Sequence, residues 1–97
     1  MAQFDVFRLK SGMRVVDLQT DLIGITATRI VAPLRAADRH AALPGLTPQV
    51  EVEGATWIVR MQELAAVPGS ELGDRIGSLI GDRDALKRAL DILIDGV

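Results

Sequence analysis

The chain has 97 residues and a mass of 10.4 kDa, enough for a single domain over 1–97, and a chain of this size buries only about 60–65% of its unfolded surface. Apolar residues make up 48% and charged residues 25%, near globular averages, which excludes a disordered tail and a coiled-coil rod. There is no cysteine and the net charge is −2, so disulfide scaffolds and thiolate sites are excluded and a basic grip on nucleic acid is not expected.

Residues 3–9, Gln-Phe-Asp-Val-Phe-Arg-Leu, read as a first strand, rich in aromatic and branched residues. Lys10-Ser11-Gly12 carries turn chemistry. Met13 to Gln19 is a second strand, and the two form a hairpin with a three- or four-residue loop. Thr26 to Leu34 is a third strand, in which Pro33 lacks an N–H donor and points to an edge or a bulge. Residues 35–48 read as a long polar loop with a helical turn near Ala36–Ala42; Pro44-Gly45 turns and Pro48 extends the backbone before it. Gln49 to Val52 alternates, Glu53-Gly54-Ala55 turns, and Thr56 to Met61 returns antiparallel. A strand from Gln62 to Val67 follows, and Pro68-Gly69 closes the β part.

Beyond Pro68 the period changes. Leu72, Ile76, Leu79 and Ile80 have helical spacing, but Gly73, Gly77 and Gly81 interrupt it, each at a cost of about 1 kcal/mol in a helix interior. A broken, turn-rich segment is expected there. From Asp82 a helix is expected, with Asp82 as cap, Asp84 in the first turn, and Leu86, Ala89, Leu90, Leu93 and Ile94 on one apolar stripe. Asp84–Arg88 and Lys87–Asp91 stand at pairing distance along it. Gly96 suits a left-handed cap. The class is mainly β (α+β), finished by one C-terminal helix.

The sequence holds few groups for chemistry. His40 is the one histidine and reads as a solvated loop residue, with no second histidine or cysteine to share a metal shell. Ser11, Ser70 and Ser78 lack a nucleophile-elbow context, and no phosphate-cradling glycine pattern occurs. Glu51 and Glu53 read as a solvated strand face and Trp57 as a core aromatic. Phe4, Phe7 and Trp57 are too few for a base-stacking platform. The composition favours a protein that is not an enzyme and needs no cofactor. No apolar run approaches the roughly 20 residues that span a bilayer, and the start has no basic stretch leading into an apolar one, so a cytoplasmic protein without a membrane is expected. At the other end, Asp91, Asp95 and the terminal carboxylate gather at the negative pole of the helix, unfavourable by about 0.3–1 kcal/mol each if exposed. A tail held this way reads as a surface for a partner.

Met1–Phe7, then Val16-Asp17-Leu18-Gln19-Thr20-Asp21-Leu22-Ile23, Ile30-Val31-Ala32-Pro33-Leu34, and the ungapped block Leu46 to Pro68 with Trp57 and Ala65-Ala66-Val67-Pro68, stand in one order and spacing. Together with the helix and the short tail, they resemble the CcdB family, toxins of type II toxin–antitoxin pairs directed at DNA gyrase. The resemblance implies an SH3-like, partly open antiparallel β barrel of the CcdB/MazF type, closed by the helix. It implies a homodimer whose helices and tails meet near the two-fold axis, with Leu93, Ile94 and Val97 at the interface. It implies a tail, here Asp95, Gly96 and Val97, that engages the gyrase A subunit and holds the cleaved-DNA intermediate, as in plasmid maintenance. A cognate, CcdA-like antitoxin is implied to contact the hairpin loop at Arg8, Lys10 and Arg14.

One position departs from the family. Its tail is Trp-Gly-Ile, and Asp95 stands where that tryptophan does. A buried interface tryptophan is commonly worth 2 kcal/mol or more, and a carboxylate in its pocket adds desolvation unless it meets a cation. Two alternatives stay open: an antitoxin-binding or regulatory protein without gyrase poisoning, and an endoribonuclease toxin, for which Arg14, Asp17, Asp21, Arg60 and His40 are the available groups.

Overall fold

The structure, a computed structural model, describes residues 2–20, 28–37 and 42–96. In chain order it has β1 (Asp5–Leu9), β2 (Arg14–Asp17), β3 (Thr28–Ala36), β4 (Gln49–Val52), β5 (Ala55–Val59), β6 (Ala65–Pro68), β7 (Leu72–Ser78) and α1 (Arg83–Asp95). The strands form one antiparallel sheet in the order β4-β5-β3-β2-β1-β7, with β6 also paired to β3. Each hairpin has its turn chemistry. Lys10-Ser11-Gly12 closes β1–β2 with Gly12 at φ +95, and Glu53-Gly54 closes β4–β5 with both residues at positive φ, the two-residue turn that matches strand twist.

β3 bends the sheet. Its first four residues pair β6 and its last three pair β5, while β2 runs along its other side. The two ends of the sheet curl toward each other, so that a Cβ added to Gly77 on β7 would stand 3.8 Å from Val52 Cγ1 on β4. This is the partly open barrel with one C-terminal helix that the resemblance implies. Strand alternation makes both faces apolar. Val6, Val16, Ala32, Leu34, Val50, Val52 and Val59 point inward and join Phe4, Met61, Leu79, Leu86 and Ala89 in the main core. Phe7, Val15 and Val31 form a smaller cluster on the outer face, flanked by Leu9, Val67 and Leu72.

Several expected boundaries shift for identifiable reasons. Gln3 and Phe4 lie in a turn before β1: Phe4 sits at φ +70, its N–H donating to Asp17 O at 2.6 Å and its carbonyl accepting from Leu79 N at 2.7 Å. Pro33 is on the central strand rather than an edge. It falls between the residues that pair β6 and those that pair β5, where β3 has no strand partner needing its N–H, and its carbonyl accepts from Arg60 N. The strand expected from Gln62 begins at Ala65, because Met61–Glu63 form a tight 3-10 turn. Of the loop expected over 35–48, residues 35 and 36 extend β3, and most of the helical turn expected near Ala36–Ala42 lies outside the described residues.

The largest correction is β7. The stretch expected to be turn-rich is a strand against β1, with two register shifts. Its glycines permit rather than prevent this: a Cβ on Gly73 would meet Arg8 O at 2.5 Å. α1 forms as expected, but Asp82 makes no side-chain cap bond, because the 3-10 turn Ile80–Asp82 runs directly into the helix. Gly96 takes the left-handed cap, with its N–H donating to Ile92 O. Leu86 and Ala89 are buried, Leu90 and Leu93 pack against the core, and Ile94 turns outward at 71% exposure. Asp84–Arg88 and Lys87–Asp91 are not among the ion pairs of the described residues; all four side chains are exposed, where such a pair gains little over solvation.

Candidate functional site

The β1–β2 hairpin places Arg8 directly across from Arg14. Two cations so disposed repel unless an anion sits between them. Glu53, from the β4–β5 turn, supplies it: Arg14 Nε donates to Glu53 Oε1 at 3.0 Å and Arg8 Nη2 to Glu53 Oε2 at 3.4 Å. The Arg14 guanidinium also lies 4.7 Å from the centroid of the Trp57 ring, a cation–π geometry, and Trp57 Nε1 donates to Val52 O at 3.2 Å. Two hairpins far apart in sequence are thereby tied at one end of the barrel. Lys10 stands exposed at the hairpin tip, its backbone N–H held by Glu71 O. The structure thus brings Arg8 and Arg14 together and leaves Lys10 beside them in solvent.

The tail residues are carried by α1. Asp95 is exposed in the last turn, Gly96 is its cap, and Val97 lies outside the described residues. The last turn holds no basic residue, so Asp91 and Asp95 face the negative end of the helix uncompensated there. Leu93 leans on the core while Ile94 projects outward, an exposed apolar side chain beside an exposed acid.

Of the groups available for acid–base chemistry, those among the described residues are tied elsewhere. Asp17 is fully buried: its Oδ2 accepts from Arg29 Nε at 3.0 Å and Nη2 at 2.7 Å, and its Oδ1 from Gln19 N. Arg60 Nε donates to Glu63 Oε1 at 3.0 Å, and Arg35 Nε donates to the same oxygen at 3.4 Å. Arg14 belongs to the Glu53 bridge. Asp21 and His40 lie outside the described residues. Among the described residues no group of three or more His, Cys, Asp or Glu is placed to hold a metal ion, and no helix is long and apolar enough to cross a membrane.

Two parts of this arrangement were not read from the sequence. Glu53 lies in the turn expected at Glu53-Gly54-Ala55 rather than on a strand face, and its bridge to two arginines had no local signal. The buried Asp17–Arg29 pair had none, since its partners stand twelve positions apart in the sequence.

Comparison with known proteins places this geometry. The family model described as CcdB protein matches residues 3–96. Among solved structures, an endoribonuclease in complex with its cognate antitoxin from Mycobacterial species superposes with a TM-score of 0.81 at 15% identity, over 97% of this chain and 94% of that one. The Mycobacterium tuberculosis toxin MazF-mt6 superposes with a TM-score of 0.78 at 20% identity, over 94% of each chain. At such identities these two structures establish the shared fold. The family match runs from the turn before β1 to the cap of α1, and on that extent the chain belongs to the CcdB family.

Proposed function

We propose that this protein is the toxin of a type II toxin–antitoxin pair, acting as a homodimer in the cytoplasm by binding the DNA gyrase A subunit and trapping its cleaved-DNA complex. The observation that carries the reading is the family match over 3–96. The end of α1 supports it: an exposed Ile94 beside Asp95 and a left-handed Gly96 offer a short apolar and acidic tip to a partner. The mechanism needs no bond made or broken by the toxin. Binding one state of the target better than the others shifts the population toward it.

The neutralising partner in this reading is a CcdA-like antitoxin that contacts Arg8, Lys10 and Arg14. Guanidinium pairs favour carboxylates and bind them bidentately, and Glu53 already shows that the Arg8–Arg14 pair accepts one. Asp95 at the family's tryptophan position favours a second reading, an antitoxin-binding protein that no longer poisons gyrase. The two separate by induction of the chain alone in a growing culture. Arrest of growth, relieved by the protein encoded beside the gene, is the expected result; unimpeded growth that Asp95→Trp converts to arrest supports the second reading.

A further inference from the structure

The sequence has no asparagine, and Asp95–Gly96 is its one aspartate followed by glycine; every other aspartate precedes a residue with a side chain. That pair is chemically labile. An aspartate closes a five-membered ring through the nitrogen of the next residue, and glycine removes the side chain that hinders the approach. The setting of the pair favours the reaction. Asp95 and Gly96 both face solvent. Gly96 N–H donates to Ile92 O at 2.9 Å, a bond that withholds the nitrogen from attack, but it closes a helix end, where turns fray. Asp91 and Asp95 stand at the negative pole of α1 with no basic residue in the last turn, which weakens that turn further. The acid that reacts thus helps to release its own nucleophile.

We propose that Asp95–Gly96 is a site of spontaneous isomerisation to isoaspartate, released by fraying of the last turn of α1. Gly96 N bonds to Asp95 Cγ, and the amide proton leaves with the carboxyl hydroxyl as water, giving a succinimide. Solvent water then adds back. Addition at Cγ restores aspartate. Addition at the Asp95 main-chain carbonyl breaks its bond to Gly96 N and leaves Gly96 joined through Cγ, with the new carboxylate on Asp95 Cα. The net change is an isomerisation that consumes no oxidant or cofactor. It lengthens the main chain by one methylene and removes the register in which Gly96 N–H reaches Ile92 O. Its consequence rests on the gyrase reading, since the pair lies in the tip assigned to that contact: the grip on the target decays as the protein ages.

The test incubates full-length protein in neutral buffer and follows isoaspartate with purified isoaspartate carboxyl methyltransferase and labelled S-adenosylmethionine, then maps the methylated peptide by mass spectrometry. Methyl acceptance that grows with time and maps to the peptide holding Asp95 and Gly96 is expected. Gly96→Ala slows it at least about tenfold, and Asp95→Glu, whose ring would need a further methylene, abolishes it. Asp91→Lys, which places a cation at the negative pole, slows it about threefold or more. No growth in methyl acceptance, growth that maps to another aspartate, or a Gly96→Ala or Asp91→Lys variant that converts as fast as wild type overturns the proposal. Aged protein is expected to trap fewer cleaved-DNA complexes than fresh protein; equal trapping with isoaspartate present overturns the consequence for the tip. Fresh protein that leaves gyrase untouched while isoaspartate accumulates at position 95 removes the gyrase reading and supports the modification.

Discussion

Asp17 and Arg29 form the one buried ion pair among the described residues, and everything about them argues for a structural role. Both are nearly inaccessible, and every carboxylate oxygen has a donor. Removing one partner strands the other without solvent. Asp17→Ala is therefore expected to cost about 3–5 kcal/mol, a large part of the 5–15 kcal/mol available to a domain. The double variant Asp17→Leu/Arg29→Met is expected to regain more than half of that loss. Urea unfolding of wild type, Asp17→Ala and the double variant measures it; a double variant no more stable than Asp17→Ala contradicts the assignment. Glu53 presents the opposite balance. Its left-handed backbone costs about 1–2 kcal/mol, while its two exposed bridges return about 0.2–1 kcal/mol each. Glu53→Asn, which tolerates that backbone and drops the bridges, is expected to change stability by less than about 1 kcal/mol in the same assay.

At the level of elements, β7 shows where pattern reading stops. Leu72, Ile76, Leu79 and Ile80 fit a helix, and the glycines argue against one, so neither signal pointed to a strand. What decides the matter is the close approach to β1, which no local pattern encodes. Gly73→Ala places a Cβ 2.5 Å from Arg8 O and is expected to destabilise by about 1–3 kcal/mol. Gly81 has open space around its Cβ position, and Gly81→Ala is expected to be neutral or stabilising by up to about 1 kcal/mol. Thermal melts of the pair test the distinction, and equal effects would refute it. By contrast the β1–β2 and β4–β5 hairpins and α1 were legible, because alternation, turn residues and the apolar stripe are all local. Pro33 shows the middle case: its missing donor was read correctly, but a gap between two partner strands met the requirement as well as an edge would. Of the site, the hairpin arginines were legible through the resemblance and gained a physical reason only when Glu53 and Trp57 came into contact with them.

For the whole molecule, the proposed function assigns the hairpin end of the barrel to the antitoxin and the helix end to gyrase. Under that proposal Asp95 sets the strength of the second contact. If the pocket on gyrase still suits tryptophan, Asp95→Trp is expected to tighten binding by about 2 kcal/mol or more, roughly thirtyfold, read by calorimetry with the purified A subunit. If the target instead offers a cation to Asp95, the same change weakens binding.

The central claim is that the protein acts by seating a folded surface on its target, without chemistry of its own. It is tested most directly by mixing purified protein with gyrase and supercoiled DNA, in parallel with the protein and RNA alone. Accumulated cleaved-DNA complexes with intact RNA are the predicted result. Cleaved RNA with gyrase unaffected would contradict the account.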